Sequence, residues 1–585
     1  MQTSGKEYKW VRVRVQKEKQ GKKVESEVWS IKSFQNPSEK IPKIMHQRQM
    51  NGSQRIEMCT QSLGVRAALS EPCDLTEPQR YAVLTRDVKS SQVIFDCEPY
   101  SFILSSDHRL NRCSYCFVNS GLALMTCARC GFARYCDKEC QRLDWHIGHK
   151  HECQQITVLR NEGCSAGPLD EILLLMRTYV NAYHKNPLEN QCCSTACDGT
   201  VKCGASHVRD LCVNNEISAF DNELSVHTIA EAIKRVSICL KQPQKQLLGP
   251  ISRLYASFRS NNFAILNTLF QSLGAGVYPH AALLNHSCCP NTLLTYIIRP
   301  GKAPILRCIA LKDMRRGEEL THCYVDATQS TAMRLKSLHF DYGFKCTCQR
   351  CIQPSLVLKE TQTEALRAKL YHLAAEPIEV FTFIGTLTEE QSASIQTLVY
   401  EMQSRGFAQD ALRSEILDLQ ACVCQEGQDA RNAMHCAVNE KNELIGIFLQ
   451  RLVDLDRKLK ELEDLSGPFC QSLYAVQSKV FTEVLAEALL IQSLVVEGMN
   501  GLADAHNACE KLAVKLCSKM CAYLVLTLRS FPFHPLLGLQ LLTLGQLSHD
   551  ERVLTWALGM LRQCNGQQDS GQFDEMIRAA EARGI

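Results

Sequence analysis

Four short strings of sequence decide the fold around residue 130: CSYC (113–116), CARC (127–130), YCDKEC (135–140) and HKHEC (149–153). They supply eight soft or borderline metal ligands, namely Cys113, Cys116, Cys127, Cys130, Cys136, Cys140, His149 and Cys153. Zn²⁺ takes four such ligands in a tetrahedron, so eight of them predict two closed structural sites. His146 and His151 are alternative donors, but His149 is favoured because it lies one helical turn from Cys153.

A second group of candidate ligands lies farther along the chain. Cys346, Cys348 and Cys351 are too few to close a four-ligand zinc site, so the fourth ligand has to come from elsewhere. Cys288 is the leading candidate, within the dense polar turn NHSCCPN (285–291). The sequence therefore predicts a third zinc ion, held partly by residues that are distant in the sequence.

The composition is that of a globular chain outside the secretory pathway. The chain has 585 residues, of which 45% are hydrophobic and 22% are charged, which favours about three to five folded units. No apolar run approaches the ~18 residues of a membrane span, and the basic N-terminus lacks the apolar segment of a signal peptide. We therefore expect no membrane association, and a cytoplasmic and nuclear location in which the 32 cysteines are reduced thiols or metal ligands.

Charge and periodicity divide the chain into regions. Residues 1–66 form a basic arm, predicted to be mostly disordered, with one edge strand where Val11, Val13 and Val15 alternate with arginines. Trp10 and Trp29 among basic residues would also suit nucleic acid, although a disordered tail is favoured. From 360 to 585 the pattern is helical: Phe448, Leu452, Leu455, Leu459 and Leu462 recur at three- and four-residue steps.

The first cysteine segment resembles a MYND finger, through YCDKEC (135–140) and Asp144-Trp145. In that family the two zinc sites interleave. The resemblance implies one zinc on Cys113, Cys116, Cys136 and Cys140, and another on Cys127, Cys130, His149 and Cys153. It also implies a role in binding partner proteins, often proline-rich peptides, with no catalytic metal.

The second group resembles the core of a SET-domain lysine methyltransferase with its cysteine-rich post-SET tail. The resemblance is carried by NNFAI (261–265), GVYP (276–279), NHSCCPN (285–291), GEEL (317–320) and YGFKCTCQRC (342–351). A MYND finger inserted into a SET domain indicates the SET and MYND domain (SMYD) family, and the likeness covers about residues 79–352. The sequence around Arg80-Tyr81 is most similar to the subgroup of this family that usually carries tetratricopeptide repeats. Such repeats are not visible in residues 1–66.

The resemblance implies a multi-domain α+β architecture. We expect a SET β-fold over 67–326, split by the MYND finger at 113–153 and by a helical insert at 154–260 that contains a cysteine-rich loop. A post-SET zinc segment at 340–355 and an α-helical, tetratricopeptide-like domain at 360–585 would follow. Cys192, Cys193, Cys197, Cys203, His207 and Cys212 in the insert match no zinc spacing well, so a flexible loop is favoured there.

The implied activity is methyl transfer from S-adenosyl-L-methionine to lysine side chains of histone or non-histone proteins. Tyr324 and Tyr342 would line the transfer site. The residues expected to contact the cofactor are Arg80, Tyr81, Asn261, Asn285, His286, Tyr324 and Phe344.

Two departures from the family's sequence pattern favour an alternative to the enzymatic function. Gln79 stands where the family's cofactor loop usually has glycine, and Ser90 or Ser91 replaces a later glycine. Glycine allows close backbone approach and positive φ without steric cost, so cofactor binding could be weaker here. The alternative function is a catalytically weak SET/MYND scaffold that recruits partners and regulates transcription.

Overall fold

The computed structural model describes residues 7–19, 22–34, 65–69, 80–119, 123–184, 208, 211, 223–352, 360–404, 438–496, 503–566, 573 and 577–578. The strands are β1 Glu7–Lys19, β2 Lys22–Phe34, β3 Val65–Leu69, β4 Arg80–Leu84, β5 Val93–Cys97, β6 Ser101–Leu104, β7 Met125–Thr126, β8 Arg134–Tyr135, β9 Asn262–Leu266, β10 Ser272–Val277, β11 Asn285–His286, β12 Thr292–Ile297, β13 Ile305–Ala310 and β14 Thr321–His322. The helices are α1 Lys138–Asp144, α2 Lys150–Asn161, α3 Ala166–Tyr183, α4 Glu223–Leu240, α5 Gln244–Asn261, α6 Thr331–Tyr342, α7 Glu360–His372, α8 Pro377–Gly385, α9 Glu389–Ser404, α10 Val438–Ser466, α11 Gln471–Val496, α12 Ala503–Thr527, α13 Pro535–Ser548 and α14 Glu551–Cys564. Within these described residues, no helix is both long and apolar enough to cross a bilayer.

The N-terminal arm differs from its prediction. β1 and β2 pair antiparallel along their whole lengths, with Val13 opposite Val28, so the predicted edge strand is one half of a long hairpin. The prediction of disorder is therefore wrong for these two strands. The second strand was not predicted because its alternation of apolar and polar residues is weaker than that of Val11, Val13 and Val15. The rest of that prediction falls on residues outside those described.

Small sheets form the strand-rich region between residues 80 and 326. One sheet has the order β12-β13-β5 and another has the order β6-β10-β9, both antiparallel. β11 and β14 form a short parallel pair that joins Asn285 to Thr321 and His286 to His322. This pair matters for the site because the polar turn that contains Cys288 and the segment that contains Tyr324 both leave it in the same direction.

A serine replaces the glycine expected in the turn before β5. Ser91 is buried and has a φ of 64°, which lies in the left-handed region. Its backbone nitrogen donates to the carbonyl of Ala310 at 2.8 Å, and Gln92 O accepts from Ala310 N at 2.9 Å. The turn geometry is thus kept without glycine, with the serine held by pairing to the end of β13.

The helical insert forms a core of its own against one sheet. Its long helices are α3, α4 and α5. Ile172, Leu173 and Leu175 of α3 are fully buried, and they share their core with Ile103 of β6 and Val277 of β10. The cysteine-rich loop at 190–212 lies almost wholly outside the described residues, so the prediction of its flexibility stays untested.

The C-terminal helices share one hydrophobic core with the strand-rich region. The predicted amphipathic helix from Phe448 to Leu462 lies within α10, which is followed by the long helices α11 and α12. Leu293 of β12 and Ile309 of β13 belong to the same core as these helices. Arg307 of β13 is buried, pairs with Asp96 at 2.7 Å and donates to the carbonyl of Asn565 at 3.3 Å. The helical region is therefore packed against the sheet that supports the site.

Candidate metal centres and transfer site

The finger presents its eight ligands as two interleaved sets of four. Cys113, Cys116, Cys136 and Cys140 form the first centre, and Cys127, Cys130, His149 and Cys153 form the second, with the ligand atoms of each set within 4.8 Å of one another. The Sγ atoms of Cys116 and Cys136 are 3.6 Å apart, and those of Cys127 and Cys153 are 3.8 Å apart. A tetrahedral zinc with Zn–S bonds of about 2.3 Å sets sulfurs about 3.8 Å apart, so both sets fit zinc.

Local structure explains how the finger's ligands are aimed. β7 and β8 form a hairpin whose connection contains Cys127 and Cys130, and Cys136 follows β8 at the opposite end, where it joins the other centre. The carboxylate of Asp137 caps α1 by accepting from the backbone nitrogen of Cys140 at 2.7 Å, which fixes that ligand. His149 ends a π-helical turn, and its Nε2 lies 3.7 Å from the Sγ of Cys130. The structure thus places His149, rather than His146 or His151, with these cysteines.

A buried ion cluster fixes the finger to the rest of the chain. Arg177 of α3 contacts Asp144 at 3.0 Å and Glu152 at 2.7 Å, and it donates to the carbonyl of Phe102 at 2.9 Å. Tyr135 donates to the same Asp144 at 2.8 Å. Burial by itself lowers the pKa of the Arg177 guanidinium. The carboxylates of Asp144 and Glu152 together have the larger effect, so the pKa is raised and the group stays charged. The side chain of Arg177 packs directly against Gly148. Any larger residue at this position would clash, since its Cβ would lie 2.6 Å from Nε of Arg177.

The third centre brings together the four cysteines predicted for it. Cys288, Cys346, Cys348 and Cys351 have their sulfurs within 4.8 Å of one another, and those of Cys288 and Cys351 are 3.4 Å apart. One ligand comes from the turn after β11, and three come from the loop after α6. Four thiolates are the donor set that tetrahedral zinc prefers, so this centre also fits zinc.

Two buried arginines surround the third centre. Arg334 of α6 is fully buried, with its Nε 3.4 Å from the Sγ of Cys288 and its Nη2 3.0 Å from the hydroxyl of Thr331. Arg350 donates to the carbonyls of Cys288 at 3.4 Å and Ala327 at 2.7 Å. Zinc with four thiolates carries a net charge of −2, so these two guanidinium groups balance it. Buried charges need such partners, because an unpaired one is costly.

Tyr324 and Tyr342 meet beside the third centre. Their rings are 4.9 Å apart, and Phe344 packs near both, at 6.4 Å from Tyr324 and 6.5 Å from Tyr342. Tyr324 donates its hydroxyl to the carbonyl of Leu284 at 2.7 Å and its backbone nitrogen to Nδ1 of His286 at 3.0 Å. Gly343, with a φ of 72°, ends α6 in the left-handed conformation and redirects the chain so that Phe344 turns back towards the tyrosines.

The two tyrosines line a cavity of about 340 Å³. Its other lining residues are Val325, Asp326, Gln329, Ser337 and Asp341. Burial, with the nearby Asp341 carboxylate, raises the pKa of Tyr342 to about 12, so this phenol keeps its proton at neutral pH. The arrangement is an aromatic recess with hydroxyl groups and no activated nucleophile among the residues that line it.

Hydrogen bonds and ring contacts link the residues predicted to bind the cofactor to the neighbourhood of Tyr324. Asn285 donates its amide to the carboxylate of Glu319 at 2.8 Å. The ring of His322 lies 4.7 Å from that of Tyr324 and 5.8 Å from that of Phe263, two positions after Asn261. Burial lowers the pKa of His322 to about 3, so this imidazole is neutral. The buried Asn261 bonds back to the carbonyl of Ser257 at 2.7 Å.

The remaining predicted cofactor residues lie on β4. Tyr81 is half-buried, and β4 packs beside the turn at Ala281–Leu283 that leads into Asn285. The side chain of Arg80 and all of Gln79 lie outside the described residues. The assignment of Arg80 and Tyr81 to the cofactor therefore stays a prediction.

The sequence reasoning missed Arg334 and His322 as parts of the site. Each left a weak signal. Arg334 precedes Leu338 and Tyr342 at four-residue steps, which places it on the inner face of α6, and His322 precedes Tyr324 at the two-residue step of a strand.

Comparison with known proteins agrees with this geometry. The MYND finger family matches residues 113–153. N-lysine methyltransferase SMYD2-B of Xenopus laevis is 30% identical over 274 residues, which cover 46% of this chain and 57% of that protein. N-lysine methyltransferase SMYD2 is 30% identical in Bos taurus and 29% identical in Homo sapiens, in both cases over 262 residues that cover 44% of this chain and 54% of the relative. The chain thus spans about half the length of the curated relatives it matches.

These observations define the class of protein: one with a MYND-type zinc finger and, beside an aromatic cavity, a third metal-binding centre made of four cysteines. Over about half of its length the chain is similar to proteins of the SET and MYND domain (SMYD) family, and it contains that family's finger.

Proposed function

We propose that this chain is a protein-lysine N-methyltransferase that uses S-adenosyl-L-methionine. The observation that carries the proposal is the pairing of Tyr324 with Tyr342 at a cavity next to the polar turn at Asn285 and His286. The relatives named above are N-lysine methyltransferases, which supports the same reaction. The SET fold over 67–326 is part of this proposal.

The residues fit the chemical demand of lysine methylation. An acceptor lysine has to arrive as a neutral amine, which at pH 7 costs roughly 4.6 kcal/mol for a side chain of ordinary pKa. A narrow aromatic recess disfavours the ammonium form by desolvation. Because Tyr324 donates its hydrogen to Leu284, its phenol oxygen keeps lone pairs that can accept from the amine.

The cofactor would supply an activated methyl group on a sulfonium. Asn285, Phe344 and the backbone of His286 are the groups that would hold it. The ring nitrogens of His286 are both engaged, since Nδ1 accepts from Tyr324 and Nε2 lies 3.2 Å from the Sγ of Cys288. Asn262, next to Asn261, has a buried side-chain oxygen without a hydrogen-bond partner among the described residues, and it fits a donor group of the cofactor.

Tyr324→Phe tests the proposal directly. The full-length chain, isotope-labelled cofactor and a proteome extract should give labelled lysines with the wild type, and at least ~100-fold less label with Tyr324→Phe. Tyr296→Phe is a matched control, because Tyr296 is a buried tyrosine of β12 that does not line the cavity. No cofactor binding at millimolar concentration, measured by calorimetry, would refute an enzymatic function.

A catalytically weak scaffold remains the second candidate. Gln79 in place of glycine favours it, because a side chain at that position restricts close approach of the backbone to a ligand. Gln79→Gly separates the two functions. If the glycine variant binds the cofactor strongly and the wild type does not, the natural chain is the scaffold.

The finger is proposed to recruit partner proteins, among them proline-rich segments. Trp145 is 37% exposed on its surface and offers an aromatic face to such a segment. Trp145→Ala should abolish capture of a proline-rich peptide and leave methyl transfer unchanged.

We further propose that the protein acts in both cytoplasm and nucleus, where reduced cysteines remain available to zinc.

A further inference from the structure

Two carboxylates line the tyrosine cavity. Asp326 lies on the segment after β14 and Asp341 lies on α6, and these two parts of the chain supply every residue that lines the cavity. Both side chains are exposed, and the lining includes no lysine, arginine or histidine. Within the described part of the chain neither carboxylate forms a salt bridge: Asp326 accepts from the backbone nitrogen of Thr328 at 2.8 Å, and Lys336 and Lys345 pair with neither aspartate. The cavity therefore offers two negative charges to a ligand.

Asp341 stands where a helix disfavours a negative charge. It is the penultimate residue of α6, and the free carbonyl groups at a helix C-terminus make that end negative. A carboxylate there lowers stability, whereas a lysine or arginine would raise it. Residues kept at a cost to stability are typical of binding and reaction sites. A cationic group that enters the cavity offsets the repulsion, so this position favours a positively charged ligand.

Two large apolar side chains continue the cavity surface along α6. Phe340 is 73% exposed and Met333 is 49% exposed. They lie three residues after and four residues before Ser337, which lines the cavity, so the helix places both of them beside it on one face. We call Met333, Ser337, Phe340 and Asp341 the rim. The rim combines a negative charge at the cavity with an apolar strip just outside it.

We propose that the rim selects substrates in which a basic residue adjoins the acceptor lysine and an apolar residue lies about two residues farther out. This selection rests on the proposed function, which places the acceptor lysine in the tyrosine cavity. The basic side chain pairs with Asp341 and Asp326, which have no cationic partner within the described residues. Its positive charge also favours loss of the proton from the acceptor, because a neighbouring like charge disfavours the ammonium form.

The spacing follows from the geometry of the two chains. Positions three or four apart on a helix are about 5–6 Å from each other, and two residues of an extended segment span roughly 6.6 Å. An apolar side chain two positions beyond the basic one therefore reaches Phe340 and Met333.

Peptide binding tests this selection without catalysis. The probes are short fluorescent peptides in which norleucine, an uncharged analogue, replaces the acceptor lysine. Measured by anisotropy with the full-length chain, arginine beside the norleucine should bind at least ~10-fold more tightly than alanine, because two carboxylates contribute. Leucine two positions farther out should bind about 5-fold more tightly than serine. The preference for arginine should weaken in 0.5 M salt, since the carboxylates are exposed.

Matched variants separate the charge from the fold. Asp341→Asn should reduce the preference for arginine about 5-fold and raise the melting temperature, because the charge at the helix end is removed. The control is Asp464→Asn, since Asp464 is an exposed carboxylate in the last turn of α10 that does not line the cavity. It should also raise the melting temperature but leave the preference for arginine unchanged. Asp341→Lys should prefer a glutamate beside the norleucine.

The apolar part of the rim has its own pair of variants. Phe340→Ser should remove the preference for leucine over serine. Leu110→Ser should keep that preference, because Leu110 is 72% exposed but lies outside the rim.

Equal binding of the arginine and alanine peptides by the wild type would overturn the proposal, as would an undiminished preference for arginine in Asp341→Asn. The lysine forms of the same peptides, with labelled cofactor, report on the proposed function separately. A wild type that binds the arginine peptide selectively but labels no lysine contradicts the proposed function alone. Label on lysines irrespective of their neighbours contradicts the selection alone.

Discussion

The finger centres and the third centre have similar ligands but different surroundings. The finger takes all its ligands from one continuous segment, and the buried Arg177 cluster joins it to α3. The third centre joins the turn after β11 to the loop after α6, two segments that carry His286, Tyr342 and Phe344. Under the proposed function, zinc would stabilise a binding module in one place and hold a reaction site together in the other.

The largest expected effect separates the two kinds of centre by activity. Cys346→Ser should lower methyl transfer at least ~100-fold, because displacement of Tyr342 and Phe344 by about an ångström misaligns the acceptor. Cys127→Ser, an equally buried ligand of the finger, should leave transfer within a few-fold of the wild type. Label incorporation and zinc content are measured on both variants. Equal losses of activity would remove the distinction between the centres.

The next effect tests how the finger is attached. Arg177→Met leaves two buried carboxylates without their partner and should lower the free energy of unfolding by about 3–5 kcal/mol. Denaturant unfolding measures this, with Arg142→Met as the control, because Arg142 makes an exposed ion pair with Glu139 on α1. The control should not shift the midpoint. An Arg177→Met chain as stable as the wild type would mean that the finger does not depend on this cluster.

Arg334 and Arg350 provide a finer test of the third centre. Arg334→Gln should increase zinc loss from that centre by about 10–100-fold, because it removes a positive charge and a donor beside the thiolates. Arg350→Gln should have a similar effect on zinc. Arg334 also donates to the carbonyl of Gln329, which lines the cavity, so its variant alone should raise KM for the peptide. Chelator competition and steady-state kinetics measure the two effects, and identical kinetics in both variants would contradict this role.

The smallest effect concerns acid sensitivity. His322 has a folded pKa lowered to about 3, so its contribution to stability is complete above about pH 6.5 and is lost as the pH falls towards 3. The loss should reach at most about 2 kcal/mol at pH 5. His322→Phe should remove this part of the acid dependence, seen as a smaller drop in unfolding free energy between pH 7 and pH 5. An unchanged drop would mean that His322 is already charged in the folded chain.

The sequence was most informative where ligand spacing limits the geometry. Two- and three-residue spacings and one helical turn identified the finger's eight ligands, the resemblance to a MYND finger implied their division into two sets, and Cys288 followed from the need for a fourth thiolate. The twin tyrosines were predicted from the resemblance, and their 4.9 Å separation came from the structure. The roles of Arg334 and His322 were missed because they result from packing between segments that are distant in the sequence, and hydrophobic periodicity gives no information about such packing. The hairpin β1–β2 was missed because its second strand has a weaker alternation than Val11–Val15.

Calorimetric titration of S-adenosyl-L-methionine into the wild type, Cys127→Ser and Cys346→Ser tests the central claim most directly. The claim is that the third centre, unlike the finger, holds the cofactor turn and the tyrosine pair in place. We expect the wild type and Cys127→Ser to bind the cofactor with the same affinity and Cys346→Ser to lose detectable binding. Equal binding by all three chains, with the third zinc absent from Cys346→Ser, would contradict the claim.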